Sequence, residues 1–490
     1  MTQQFMFIEG LQADRASKKL MRRHVMRGKN AGKKLQRPSR QAAALQPYRH
    51  HPDQQQQQQE KHKALTRFRT LDKSSQLSDY AAAMLAVQLL WWPFAPGVVV
   101  KPGTLQIVQT FFVNVSDRLY PARLGLSMHQ IKTSWFRQLL TDMDAQTCCV
   151  AVMQACNELF LGHQPTSQSL YSLAHTLRVV NRRVQGKDAL SNATIAIVLS
   201  LIGHEQIKNE HAAAAVHTQG LGRMVQLRGG LDRLDTEGNL ALVLKICKTD
   251  IMFALQHGGP AMFFRDSMPK MRVKLASSGL SLDANDGDAD ERGHTTTAAA
   301  AAAAVTTTTA GLQLPQTDQL DPSLASILHE VMSVCDLINT KLNGETTIDC
   351  LDYLDIVVSL LYRLLRCRSL SDTTSGSSAA RAYHVGMVMV VALMLMHRGP
   401  RNIIICEPVS QTITALCQLA DMQPQLRFWV MFMGAIWHGD TPGGAPLRHQ
   451  AASGAAELQL RSWDAARACL ARFPWLAGIH DAPGRELWDQ

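Results

Sequence analysis

Apolar residues recur three and four positions apart along most of the chain after residue 76. This spacing places them on one face of an α-helix, and Gly, Pro or polar residues separate the segments. Before residue 277, the pattern predicts helices over residues 78–90, 135–160, 169–184, 192–202, 211–228 and 240–256. After residue 320, it predicts a helix that starts at Asp321-Pro322 and is closed by Gly344, followed by helices over residues 351–365, 382–397, 410–419, 425–437 and 458–472.

Strand-like alternation is scarce, because residues 98–100 and 403–405 are too short to build a sheet. The predicted fold class is therefore all-α, a large irregular multi-helix bundle preceded by a disordered basic N-terminal arm. The longest apolar run, residues 385–396, would rise only about 18 Å as a helix, against about 30 Å for a hydrocarbon layer. We expect it to be a buried core helix and expect no contact with a membrane.

Two stretches have too few apolar residues to offset the entropy of ordering the chain. Residues 1–75 include six consecutive glutamines, and residues 277–320 are first acidic and then almost entirely Thr and Ala. We predict that both are disordered, apart from a short helix over residues 15–34. The helical domain then has two parts, residues 76–276 and 321–490, which we expect to share one core.

Positive charge is concentrated at the start of the chain. Between Arg15 and Arg40 there are 11 Lys or Arg residues and no Asp or Glu, and the net charge of residues 1–73 is +12. The remaining 417 residues carry 33 basic and 35 acidic side chains, a net of −2. Such a run favours a polyanionic partner or an import receptor over a role in the core.

We therefore assign the candidate nucleic-acid-binding or nuclear-import residues to this run. They are Lys18, Lys19, Arg22, Arg23, Arg27, Lys29, Lys33, Lys34, Arg37 and Arg40. Cations that neutralise phosphates release counterions, which favours binding at low salt. The plainer alternative is a solvated tail that keeps the protein in solution.

Ten cysteines are scattered along the chain without any C-x-x-C pair. The first residues lack the basic and then apolar order of a secretion signal, so we expect reduced, buried thiols in an intracellular protein. Cys148, Cys149 and Cys156 are too widely spaced for a usual zinc site, and we predict that they are core thiols. We expect no metal and no cofactor.

Motifs of catalysis are also missing. There is no G-x-S-x-G and no G-x-x-x-x-G-K-[ST], and His204-Glu205 lacks a second histidine because Lys208 occupies its position. We expect His204 and Glu205 to lie on a solvated helix face. Arg228-Gly229-Gly230 occurs once, and we predict that it ends a helix. The chain is not expected to be an enzyme.

A stripe of aromatic and Met side chains has two interpretations, core packing or the lining of a small-molecule pocket. Its members are Phe428, Trp429, Met431, Phe432, Met433 and Trp437.

Four segments together resemble the fungal-specific transcription factor family, in its large helical regulatory domain. KKLMRRHVMRGKNAGKK (18–34) is similar to a basic motif at the start of a subgroup of these proteins. HTQGLGRMVQLRGG (217–230), with Asp250 and GGPAMF (258–263), resembles the middle of the domain. LRFWVMFMGAIW (426–437) resembles a late helix, and FPWLAGIHDAPGRELW (473–488) resembles the end.

The resemblance implies residence in the nucleus and a role in transcription regulation. Many members carry a binuclear zinc cluster of six closely spaced cysteines, whereas the first cysteine here is Cys148. The expected partners are DNA through the basic arm, a nuclear import receptor and other regulatory proteins. The alternative is a helical scaffold or co-regulator that binds proteins but not DNA.

Overall fold

The computed structural model describes residues 102–112, 142–280, 282, 314–341, 348–372, 375–396, 407–417, 419, 421–439, 441 and 443–490. All of them belong to one compact unit, Val87–Gln490. The ten candidate basic residues, the predicted helices over residues 15–34 and 78–90, and the short apolar runs 98–100 and 403–405 lie outside the described residues.

Within the described ranges the chain forms sixteen α-helices and no strand, which confirms the predicted all-α class. The first eight are α1 (Pro102–Phe111), α2 (Met143–Phe160), α3 (Ser167–Val184), α4 (Asn192–Lys208), α5 (His211–Leu227), α6 (Gly230–Thr236), α7 (Leu240–His257) and α8 (Met268–Ser277). A 3-10 turn at Thr317–Gln319 precedes the others. These are α9 (Pro322–Lys341), α10 (Cys350–Cys367), α11 (Ser378–Leu395), α12 (Glu407–Cys417), α13 (Pro424–His438), α14 (Gly444–Glu457), α15 (Trp463–Leu470) and α16 (Ala477–Trp488).

Several helices begin where a Ser, Thr or Asp side chain accepts a backbone N–H of the first turn. Ser377 Oγ accepts from Ala380 N at 3.1 Å at the start of α11, and Asp349 Oδ1 accepts from Leu351 N at 2.9 Å at the start of α10. These caps satisfy backbone donors that have no partner inside the helix.

Helix α11 lies at the centre of the second half and packs against α10, α12 and α13. Among the described helices it alone is long and apolar enough to cross a membrane by composition, but nearly all of it is buried inside the fold. The run 385–396 is therefore a core segment, as predicted.

The helices before residue 277 and those after residue 320 pack directly against each other. Helix α7 contacts α10, and Lys248 Nζ on α7 donates to the backbone O of Leu395 on α11 at 3.1 Å. The ends of the predicted 277–320 insertion join this packing, because Leu280 and Leu282 are buried and the Tyr383 hydroxyl donates to Pro315 O at 2.8 Å.

Several predicted helices have different bounds in the structure. Helix α11 begins at Ser378 and not at residue 382, and α12 begins at Glu407 and not at residue 410. The predicted helix 458–472 is wrong: α14 ends at Glu457, Gln459 has a φ of +55°, and α15 begins only after Ser462. Leu460 N donates back to Ala455 O at 2.9 Å, a bond that closes the end of α14. The helix predicted to stop at residue 202 continues to Lys208 and ends at Asn209, whose φ is +57°.

Candidate functional site

Helix α7 is followed by a ten-residue loop, residues 258–267, that contains the GGPAMF segment. Gly258 ends the helix with a φ of +69°. A Cβ there would lie 2.5 Å from Ser371 Oγ and 2.6 Å from Pro408 Cγ, so both the conformation and the space require glycine. The predicted helix end at this Gly-Gly-Pro is confirmed.

Asp250 fixes the middle of the loop from the buried side of α7. Its Oδ1 accepts from Met262 N at 2.9 Å, and its Oδ2 accepts from Phe263 N and the Tyr362 hydroxyl, both at 3.0 Å. Burial raises the pKa of Asp250, although the three hydrogen bonds act to lower it. Burial also raises the pKa of Tyr362 well above its ordinary value, so the hydroxyl stays a donor.

Arg265 fixes the end of the same loop to α10. Its Nε and Nη2 donate to the two carboxylate oxygens of Asp355, each at 2.7 Å, and Nη2 also lies 3.0 Å from Asp235 Oδ2. Ser267 N donates to Ser359 Oγ at 2.9 Å. The loop therefore has fixed polar contacts at its middle and at its end, to buried groups of α7 and α10 and to the partly exposed Asp235 of α6.

These contacts leave two apolar side chains of the loop at the surface. Met262 is 44% exposed and Phe264 is 43% exposed, while the neighbouring loop residue Arg265 is buried. The Arg366 guanidinium lies 4.6 Å from the centre of the Phe264 ring. We call Met262 and Phe264 the loop tip. A rigid pair of exposed apolar residues is suited to contact with another macromolecule.

The segments 217–230 and 258–263 contact one another here. A Cβ on Gly222 of α5 would lie 2.0 Å from Met262 Sδ, so a glycine leaves room for the loop. Arg228 donates to Leu190 O and Asn192 Oδ1 and pairs with Glu237, and both Gly229 and Gly230 have positive φ. The prediction that Arg228-Gly229-Gly230 ends a helix is confirmed.

The two late segments also contact each other. The ring of Trp429 on α13 stacks on Phe473 with centroids 5.1 Å apart and an angle of 11°. The ring centroids of Phe432 and Trp475 lie 6.4 Å apart. Core packing accounts for the aromatic and Met stripe, whose members are buried except for the half-buried Trp437, and Phe432 also lines a cavity.

A cavity of about 620 Å³ lies beside this aromatic cluster, between α14 and the end of α16. Phe432, Ala455, Leu487 and Trp488 give it apolar walls, and Arg448 lies at its edge. Since Arg448 also donates to Gly439 O, part of the guanidinium is already engaged.

His204 and Glu205 have a different environment from the one expected. His204 is buried in α4, and burial lowers its pKa, so its predicted position on a solvated face is wrong. Glu205 is half-buried, and its Oε2 lies 2.8 Å from His217 Nδ1.

Cys148, Cys149 and Cys156 are buried as predicted, and burial raises the pKa of Cys149 and Cys156 to about 12. Across the described ranges, no three His, Cys, Asp or Glu side chains are placed to hold a metal ion.

Sequence reasoning missed Arg265, Asp355 and Tyr362. Asp355 and Tyr362 belong to the apolar stripe of α10, where only the aliphatic residues were used for the prediction. The position of Asp355 could have indicated its role, because a carboxylate within a run of buried aliphatic residues needs a hydrogen-bond or ion-pair partner.

Comparisons with protein-family models, with curated proteins and with solved structures found no match.

Proposed function

We propose that this protein is a nuclear transcription regulator with two working parts. The basic arm, residues 1–75, would direct nuclear import and contact DNA without sequence preference. The helical body would serve as the regulatory domain of the fungal type that its segments resemble. The observation that carries the proposal is the run of 11 Lys or Arg residues without an acid between residues 15 and 40, joined to a remainder of net charge −2.

The helical body supports a role in contacts with other proteins. Its loop tip presents Met262 and Phe264, and the buried carboxylates beneath it have hydrogen-bond donors from the chain itself. A surface held in one conformation loses little entropy when a partner binds. This property fits the regulator and also the alternative, a scaffold or co-regulator that binds proteins but not DNA.

The first experiment tests import. A fluorescent fusion of the full chain is compared with a variant in which the ten candidate residues are changed to Gln, and with a control in which Arg22, Arg23, Arg27, Arg37 and Arg40 are changed to Lys. We expect the Gln variant to lose nuclear accumulation and the charge-conserving control to retain it. Equal nuclear accumulation of all three chains would contradict the proposal.

The second experiment separates the regulator from the scaffold. Binding of the full chain to duplex DNA is measured at several salt concentrations. If about six phosphates are engaged, the logarithm of affinity falls with the logarithm of salt at a slope of about −5. DNA binding that is absent, or independent of salt, while import still requires the basic residues would favour the scaffold.

A further inference from the structure

Among the described residues, helix α3 contacts the rest of the protein along one side. Thr176, Val179, Val180 and Arg183 are buried on that side. Arg183 Nη2 lies 2.6 Å from Asp142 Oδ2, and its Nε donates to Thr194 Oγ1 at 2.8 Å. These contacts fix the rotation of the helix and thereby decide which residues face outward.

The outward side of α3 carries a row of apolar residues at regular spacing. Leu170, Leu177 and Val184 lie seven residues apart, and Ala174 and Asn181 come between them, so the spacing along the row is four, three, four and three. All five are exposed, with Leu170, Leu177 and Val184 between 41% and 55%. We call these five residues the outer seam. As a helix it extends about 21 Å, and its spacing is that of helices packed side by side.

The border of the outer seam is cationic. Arg178 and Arg182 lie along it, and α3 contains no Asp or Glu. The Arg178 guanidinium lies 5.8 Å from the centre of the Tyr171 ring, and no carboxylate of the described residues is within ion-pair distance of it. Arg182 pairs with Asp144 at 2.8 Å, and both side chains remain more than half exposed.

We propose that the outer seam binds an acidic amphipathic helix of a partner protein. Such a helix would place apolar residues of four-three spacing on Leu170, Ala174, Leu177 and Val184, and carboxylates beside Arg178 and Arg182. Asn181 would lie within the seam, where a polar residue fixes the register of a helix pair. The proposal concerns the helical body and does not depend on nuclear import.

Charge and shape favour this occupant over three others. A second copy of α3 would bring the same arginines to the border without an acid on the helix to meet them. A membrane surface needs a broad apolar face, whereas this one is a single row. Nucleic acid would use the arginines but gain little from Leu170, Leu177 and Val184.

The test uses the full-length chain and two synthetic helical peptides with the same four-three row of Leu. One peptide has Glu beside the row and the other has Lys, and binding is followed by fluorescence anisotropy. We expect the Glu peptide to bind at least tenfold more tightly. Leu177→Gln should weaken it tenfold or more, and Arg178→Glu with Arg182→Glu should reverse the preference toward the Lys peptide.

The control variant is Val273→Gln, which changes an exposed apolar residue on α8 and should leave peptide binding unchanged. Circular dichroism checks that each variant retains its helix content. If Leu177→Gln does not weaken binding of the Glu peptide, the peptide binds to other cations of the chain, and the proposal is overturned. It would also be overturned if neither peptide binds, if anionic vesicles or duplex DNA bind in a Leu177-dependent way, or if Leu177→Gln abolishes a dimer seen by sedimentation.

Discussion

The guanidinium of Arg265 and the carboxylate of Asp355 form two parallel hydrogen bonds, each 2.7 Å long, inside the protein. The pair joins the loop after α7 to the middle of α10, across 90 positions of sequence. Burial disfavours the charged guanidinium, but the carboxylates of Asp355 and Asp235 raise the pKa of Arg265 overall. The position of the loop tip therefore depends on a buried ion pair, in which each charge has lost most of its water and is stabilised by the other.

Removing the charge of Asp355 should destabilise the fold strongly. Asp355→Asn leaves the buried Arg265 guanidinium with the partly exposed Asp235 as its remaining anionic partner, and we expect a loss of about 3–5 kcal/mol in the free energy of unfolding. Asp235→Asn is the control, because Asp235 is partly exposed and water can replace it, at a cost of about 1 kcal/mol or less. Urea denaturation measures both variants, and equal losses would contradict the prediction.

Changing either of two helical glycines to alanine should alter the free energy of unfolding, in opposite directions for the two positions. A Cβ at Gly386 of α11 would lie 2.3 Å from Trp429 Cη2, inside a packed core. We expect Gly386→Ala to lower the free energy of unfolding by about 1–3 kcal/mol, because the stacked Trp429 must shift. Gly220 of α5 is exposed and has no atom within 4 Å of the added methyl, so Gly220→Ala should stabilise by up to about 1 kcal/mol. Thermal denaturation should separate the two variants, and the same sign for both would refute the packing argument.

His480 should make stability depend on pH. It is fully buried, its Nδ1 accepts from Leu476 N at 3.0 Å, and burial lowers its pKa to about 3. Burial similarly lowers the pKa of His384 to about 4. In the unfolded chain both histidines become protonated near pH 6.5, whereas in the folded chain they stay neutral to a lower pH. The free energy of unfolding should therefore fall as the pH decreases below about 6.5. The decrease is up to about 1.4 kcal/mol per pH unit for each histidine.

The histidine contribution is isolated by His480→Asn, whose side-chain oxygen can still accept from Leu476 N. Denaturation of both chains between about pH 5 and 7 should give a shallower slope for His480→Asn. The raised pKa of Asp250 acts in the opposite direction at lower pH, but it is common to both chains. Phe473→Leu, which loses core packing without removing a titrating group, should lower stability and keep the wild-type slope. An unchanged slope in His480→Asn would mean that this proton is not linked to folding.

The pattern of apolar positions determined the helical class and the approximate bounds of α3, α5, α7, α9, α10 and α13, because apolar residues on a buried helix face recur with a period of 3.6 residues. It did not predict α6, α8, α14 or α16. It also placed the run 385–396 in the core and the early cysteines among buried residues. Gly258 and Gly229 ended helices as predicted, because glycine lacks a Cβ and adopts a left-handed φ without steric cost. The same local rules did not predict the break at Gln459, where a non-glycine residue adopts a positive φ.

Only the tertiary structure decided which polar residues become buried and what they contact. Asp250 and Asp355 anchor one loop because α7 and α10 pack side by side, and the sequence does not specify the partners of either carboxylate. His204 of α4 is buried and Leu177 of α3 is exposed, because the rotation of each helix is set by its neighbours. A helix face acquires its environment from residues that are distant in sequence, and that information is absent from local periodicity.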